Sequence, residues 1–181
     1  MTGPSAAIPA GLRAAAPSNR PSAQFCRCRR SFTLSEAVDP RYRALVLLAT
    51  FTSLRWGELC ALRRSDIDLD ARTIRVERTL TELENGELSF GPPKSAAGRR
   101  VVGFPELVSP VVRWHLACFA RPEDDGLVFT SPNGTALRRG NFRRRVWLPA
   151  LCKTGAPAVH FMIFAILATH SRPRPAPTCA S

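Results

Sequence analysis

Thirteen consecutive residues, Thr50-Phe51-Thr52-Ser53-Leu54-Arg55-Trp56-Gly57-Glu58-Leu59-Cys60-Ala61-Leu62, constrain this chain more than any other stretch, with Asp66-Ile67-Asp68 following closely. Ahead of them Leu45, Leu48, Ala49 and Thr52 recur at helical spacing, so Arg55 falls at or just past a helix end. Gly57 allows a sharp turn, and Glu58 to Leu62 can begin a second short helix. An arginine between two buried helices is costly unless it meets an anion. That anion can be the Glu58 carboxylate, the commoner solution, or a phosphate from outside the protein.

The 181 residues suffice for one domain. With 45% hydrophobic and 22% charged residues, the composition is that of an ordinary globular protein and excludes a membrane or fully disordered class. A formal net charge of +12 points to a polyanionic partner, provided the charge sits on the folded part. Five arginines lie in 1–34 and two in 161–181 without a single acid, which leaves 35–160 at a net +5. Double-stranded DNA is therefore compatible with the charge but not demanded by it. The six cysteines (Cys26, Cys28, Cys60, Cys118, Cys152 and Cys179) form no Cys-x-x-Cys or His-paired zinc spacing. Reduced thiols, no metal, no cofactor and a cytoplasmic chain are expected, with Cys60 and Cys118 as small buried hydrophobes. No signal-peptide-like run opens the chain, and the apolar run 161–169 is too short to span a bilayer.

Residues 1–34, rich in Ala, Pro, Ser and Arg, show no period and read as a disordered basic leader or, alternatively, an arm that tracks DNA. From Asp39-Pro40, an N-cap and first-turn pair, a helix is expected to about Ser53, then another from Gly57 to about Arg63. Thr73 to Thr79 alternates as a strand that could reach Leu83. Asn85-Gly86 turns it back into Glu87 to Phe90, and Arg99 to Val102 supply a third antiparallel strand, with Lys94 at an intervening turn. A helix from Pro105 to Phe119, kinked or shortened at Pro110, a short strand at 126–129, and a helix capped by Asn141 and stopped at Gly155-Ala156-Pro157 complete the pattern. The expected fold class is mixed α/β, mainly helical, with a small three-stranded antiparallel sheet.

The wording of the first stretch resembles the arginine motif of the tyrosine recombinase (phage integrase) family, Thr-Gly-Leu-Arg-x-Gly-Glu-Leu with a nearby Asp-Ile/Val-Asp. Here it reads Thr52-Ser53-Leu54-Arg55-Trp56-Gly57-Glu58-Leu59, with Ser53 in place of the common glycine. If that position needs φ > 0, the turn is strained. Pro93-Lys94-Ser95-Ala96-Ala97-Gly98-Arg99-Arg100-Val101-Val102 is similar to the family's lysine hairpin. The segments Leu127-Val128-Phe129, Asn133-Gly134, Asn141-Phe142 and Trp147-Leu148-Pro149-Ala150-Leu151 are similar to what precedes its second histidine–arginine motif. The resemblance covers 39–160 and implies a catalytic core incomplete at its C-terminus, with 35–160 as that partial domain and 161–181 as a tail foreign to the family.

The resemblance implies that two arginines clamp a scissile DNA phosphate, a lysine protonates the departing 5′ oxygen, and a tyrosine attacks to form a 3′-phosphotyrosine. Arg55 matches the first arginine and Lys94 the lysine; alone, Lys94 would read as a solvated turn residue. Glu58 would orient the site, by pairing with Arg55 or by bracing the helix. Arg99, Arg100, Arg143, Arg144 and Arg145 are candidate DNA contacts, a solvated helix face being the plain reading of the last three. The second arginine motif and the nucleophile are not matched: the one tyrosine, Tyr42, precedes Arg55, and His115 and His170 match no family histidine. Strand cleavage is thus not expected of this chain. A DNA-binding module, one that joins and poisons full-length recombinase subunits, a product without function, and an enzyme borrowing its tyrosine from another subunit stand as the alternatives.

The genetic code supports a frameshift hypothesis for the tail. Read from the last base of the Phe161 codon, the Met162 codon makes the first new triplet His or Tyr and the second necessarily Asp. If the codons of Ile163, Phe164 and Ala165 end in C, the next three triplets read Leu, Arg and His. The shifted frame then spells His-Asp-Leu-Arg-His, the unmatched motif, where the family would place it. Sequencing the gene from codon 155 onward is expected to show this motif one base early, with a tyrosine codon downstream. Neither in either shifted frame would make the tail genuine.

Overall fold

The computed structural model describes residues 31–93, 98–156 and 161, arranged around one nearly enveloped helix. That helix, α2 (Pro40–Thr52), begins where expected: the Asp39 carboxylate accepts from the Arg41 N–H at 2.9 Å, and Pro40 occupies the first turn, where no N–H is needed. Tyr42, Ala44 to Thr50 and Thr52 are all buried. A helix apolar on every side belongs in the centre of a core rather than on its surface. Its two buried threonines stay satisfied by donating to the carbonyls four residues back, Thr50 to Val46 at 2.9 Å and Thr52 to Leu48 at 2.6 Å.

Ahead of α2 lies a helix over 31–37, α1, with Leu34 buried and Phe32 against Phe51. The order of the chain thus begins before Asp39. Residues 31–34, assigned from composition to the leader, are helical because Phe32 and Leu34 supply the apolar anchors that the preceding Pro/Arg-rich text does not. Residues 1–30 lie outside the described residues.

Helix α2 ends at Ser53, whose backbone adopts the left-handed conformation, φ 54° and ψ 25°. Helix α3 (Trp56–Cys60) follows after two residues. Gly57 serves here as a point of contact rather than a turn. A Cβ on it would lie 2.5 Å from both the Leu80 carbonyl oxygen and the Thr79 hydroxyl, because strand β3 (Thr79–Glu82) crosses α3 at backbone distance.

The Asp66-Ile67-Asp68 motif builds the exit from α3. Asp66, buried in a 3-10 turn (Arg64–Asp66), accepts from the Arg63 N–H and from Arg78, both at 2.8 Å. Asp68 accepts from the Asp70 and Ala71 N–H groups and turns the chain between β1 (Ile67–Asp68) and β2 (Thr73–Val76). β2 is the centre of a three-stranded antiparallel sheet in the order β1-β2-β5, β5 being Arg100–Gly103. The hairpin β3 (Thr79–Glu82) and β4 (Leu88–Gly91) stands apart as a two-stranded sheet. The three-stranded antiparallel sheet is therefore present with a different membership. The expected continuous strand through Thr79 breaks at Glu77-Arg78, where Arg78 turns aside to neutralise buried Asp66. Gly86 closes the hairpin at φ 79° while Asn85 keeps negative φ, so the loop is the three-residue kind rather than an Asn-Gly type I′ turn.

Pro110 shortens the next helix as expected. A 3-10 turn (Glu106–Val108) leads into α4 (Ser109–Cys118), with Pro110 in its first turn. The anticipated strand at 126–129 is an irregular segment latched by Arg64 N–H to Gly126 O and Val128 N–H to Leu62 O, with one bridge from Leu127 to Arg63. The last described helix starts at Arg139 rather than at an Asn141 cap. It runs as α5 (Arg139–Phe142), a π turn (Arg143–Trp147) and α6 (Leu148–Thr154). The π turn precedes Pro149, which can neither donate to the helical ladder nor tolerate the carbonyl four residues back. Gly155 closes the helix in left-handed conformation, with its N–H on Cys152 O and that of Ala156 on Leu151 O.

Cys60 is buried, as expected, and burial pushes its thiol well up. Cys118 corrects the expectation: it is exposed, because the buried face of α4 is Val112, His115 and Leu116. His115 is a core histidine whose Nε2–H donates to Val128 O at 2.8 Å, with its ring against Phe129 and Phe119. Its Nδ1 is buried without a hydrogen-bond partner.

Two outcomes follow. Ser53→Gly relieves the left-handed strain but frees the unfolded chain, so urea unfolding should show a net gain of about 0.5–1 kcal/mol. Burial, above all, depresses the His115 imidazole below its ordinary value of about 6.5, Val128 O opposing and Arg41 adding to the shift. Folding thus favours the neutral ring. Its contribution is complete above pH 6.5 and is lost as pH falls from there toward the depressed value, at up to about 1.4 kcal/mol per pH unit. Urea midpoints measured from pH 7.5 to 5 should show this slope, and His115→Gln, which keeps the donor, should remove it.

Candidate nucleic-acid interface

Arg55 sits between the left-handed Ser53 and the first turn of α3, in extended conformation with φ −71° and ψ 156°. Its side chain is exposed, and its guanidinium makes no hydrogen bond or ion pair among the described residues. The sequence left a choice between an Arg55–Glu58 ion pair and an external anion, and the geometry excludes that pair. The Glu58 side chain, 3% exposed, accepts from the Arg55 backbone N–H at 2.9 Å, while its charge is met by Arg100. Arg100 Nη1 and Nη2 reach the two carboxylate oxygens at 3.0 and 2.9 Å, a bidentate fork, and Nη1 also donates to Gly98 O at 3.1 Å. Burial alone would raise the Glu58 carboxyl. The Arg100 hydrogen bonds, the Arg55 N–H and the two positive charges outweigh it and hold the group below its ordinary value.

Lys94 lies outside the described residues, but Pro93 and Gly98, on either side of 94–97, do not. Pro93 and Gly98 are in contact, at a point where a Cβ on Gly98 would collide with the proline ring. On one side the chain arrives from the hairpin whose β3 packs on Gly57; on the other it leaves into β5, held to α3 by Arg100. Arg138 ties the hairpin to the start of α5 through Glu82 at 2.8 Å and Gly86 O at 2.6 Å. Arg100 is the residue whose role the sequence misled: a strand-start arginine beside a basic neighbour reads as a DNA contact, yet it is spent on Glu58. Gly98 and Gly57 were legible only as turn formers, although their smallness is what the packing uses.

Arg99 is exposed just before β5. Arg143, Arg144 and Arg145 are exposed on the π turn, where consecutive positions fan around the helix instead of forming one stripe. Arg144 makes long bonds of 3.4 Å to Gly140 O and Asn141 Oδ1. Arg145 lines two open grooves, one of about 280 Å³ beside Tyr42 and Asn141 and one of about 450 Å³ with Arg43 and Lys153.

Trp56, next to Arg55, opens an aromatic cluster behind the site. It packs on Phe142 at 5.0 Å and Phe161 at 5.9 Å, and Phe161 in turn meets Phe142 at 5.1 Å and Trp147 at 4.9 Å. Tyr42 joins edge-on to Phe142 at 5.6 Å. Its hydroxyl is pushed up, chiefly by burial. Tyr42, 7% exposed, is therefore a packing residue. His160 and His170 lie outside the described residues. Among the described residues, no cluster of His, Cys, Asp or Glu could hold a metal, and no helix is long and apolar enough to cross a membrane.

Comparison with known proteins places this geometry. No family model matches the chain. Over 101 residues it is 37% identical to the putative prophage phiRv2 integrase of Mycobacterium tuberculosis, an alignment that covers 56% of this chain and 27% of that protein. Against the integrase of Mycobacterium phage FRAT1 it is 31% identical over 110 residues, 59% of this chain and 33% of that one. A tyrosine recombinase XerC-like protein of Caldanaerobacter subterraneus subsp. tengcongensis is 27% identical over 136 residues, 65% and 34% of the two chains. The chain thus spans between a quarter and about a third of these relatives. Among solved structures, a Tn1549 transposon integrase in complex with a circular intermediate DNA superposes with TM-score 0.63 at 18% identity, covering 84% of this chain and 52% of that one. A XerA recombinase does so with TM-score 0.59 at 22% identity, covering 83% and 50%. The arginine turn, the hairpin and the aromatic-backed helix thus lie on the fold that these neighbours share, and over roughly half of its length the chain is similar in sequence to proteins named integrase.

Proposed function

We propose that this chain engages duplex DNA at its phosphate backbone, as the part of a site-specific recombinase that grips the scissile phosphate, and does so without cutting the strand. The observation that carries the reading is the Arg55 guanidinium. It is exposed at a buried turn, and the carboxylate beside it is already neutralised by Arg100. A guanidinium held this way is preorganised for an oxyanion, since neither it nor its support must rearrange when charge develops on a phosphate. Lys94, which lies in the sequence between β4 and β5 and matches the family's lysine, is the candidate proton donor to a departing oxygen. Arg99 and Arg143 to Arg145 supply sequence-independent backbone attraction.

Cleavage needs more than these two groups. The one tyrosine of the chain is Tyr42, buried against Phe142, and no second arginine is matched to the site. Residues that act as a unit lose most of their rate when one member is missing. The relatives' names, integrase and tyrosine recombinase, and the DNA held by the Tn1549 neighbours support recombination as the activity of the lineage.

The test is fluorescence anisotropy of the full chain on a short duplex across a salt series, paired with a denaturing gel on a nicked duplex. Arg55→Gln and Lys94→Gln should each weaken binding about tenfold and reduce the salt slope by about one. The gel should show no protein–DNA adduct. Salt-independent retention, or no binding at low salt, would overturn the DNA reading, and a covalent adduct would overturn the non-cleaving part.

A further inference from the structure

Resting on the phosphate-binding reading of Arg55, we infer that Arg100 is a positioning residue: it occupies the Glu58 carboxylate so that the Arg55 guanidinium stays free for phosphate. Glu58 lies three residues after Arg55, 3% exposed, with one oxygen already 2.9 Å from the Arg55 backbone nitrogen. A carboxylate buried in that place must be neutralised by a cation. Two guanidinium groups compete for it, those of Arg55 and Arg100, and both act electrostatically on its carboxyl. Arg100 holds it because its fork meets both oxygens in parallel, at 3.0 and 2.9 Å, while the Gly98 carbonyl fixes the same guanidinium at 3.1 Å.

Without Arg100, the neighbouring cation among the described residues is Arg55. An internal Arg55–Glu58 pair would then consume the group that phosphate needs, at high effective concentration and beyond the reach of salt screening. The same contacts fasten the start of β5 to the N-terminus of α3. Direct contact with DNA, the expectation for Arg100 from its position in the sequence, is the less suited role for a guanidinium with three hydrogen bonds already made inside the protein.

A double-mutant cycle on the full chain tests this, with anisotropy on a short mixed-sequence duplex as readout and near-UV circular dichroism as the check on folding. Arg100→Gln should weaken binding about ten- to hundredfold, the worth of one charge-assisted contact. Glu58→Gln keeps an oxygen for the Arg55 N–H and removes the competing charge. Added to Arg100→Gln, it should restore most of the lost affinity, and Arg55→Gln should abolish that rescue. A double variant no tighter than Arg100→Gln would overturn the inference, since an Arg100 that touched phosphate itself could not be rescued by a second loss; a rescue accompanied by recovery of a near-UV spectrum that Arg100→Gln had lost would overturn it too, since removing the unpaired Glu58 charge then merely restores the fold. Should Arg100→Gln fail to fold, Arg100→Lys, which loses the bidentate fork but keeps a charge, takes its place in the same cycle. The underlying phosphate reading fails separately, if Arg55→Gln leaves the affinity of the otherwise native chain unaltered.

Discussion

A single buried carboxylate organises the surface that matters in this protein. Glu58 ties three parts of the chain together: the Arg55 backbone at the start of α3, the guanidinium of Arg100 at the start of β5, and, through that guanidinium, Gly98. Its burial makes the arrangement obligatory, because an unpaired charge in that environment would cost several kcal/mol. What is obligatory for Glu58 is permissive for Arg55, which can remain exposed and unpaired at a turn that is otherwise closely packed.

The turn is held from behind by packing rather than by charge. Trp56 binds it to Phe142 and Phe161, and Phe161 in turn to Trp147, so the last described helix and the residue at 161 brace the same few ångströms of backbone that present Arg55. From the side, β3 lies on Gly57 at a distance that only glycine permits. The turn thus owes its rigidity to elements distant in sequence, and its exposed charge to one side chain.

Much of the fold was legible because its signals are local. Asp39-Pro40 marks the start of α2 through a cap and a missing N–H, Pro110 shortens α4, and Gly155 closes α6, each for reasons contained within a few residues. Where the reading failed, the deciding partner was far away. The strand expected through Thr79 breaks because Arg78 answers Asp66, and Cys118 faces solvent because His115 claims the buried face of α4. The helix of residues 31–37 depends on a single core contact or two that composition cannot weigh. Lys94 was legible only through register with a family pattern, since a lysine in a polar turn carries no signal of its own.

By itself the sequence determined where Arg55 stands: a helix must end near Ser53 and another must begin near Glu58, because period, capping and turn chemistry act over short spans. It left Tyr42 as either a packing or a surface residue; its edge-on contact with Phe142 settled that only in the fold. Which arginine pairs with Glu58 was decided by tertiary structure alone. The choice rests on whether a second cation reaches Glu58, and Arg100, forty-two positions away, arrives there only once β5 has paired with β2 and carried it to α3. Periodicity reports what a residue does to its own helix; a long-range ion pair depends on where two elements cross, and no local pattern encodes that.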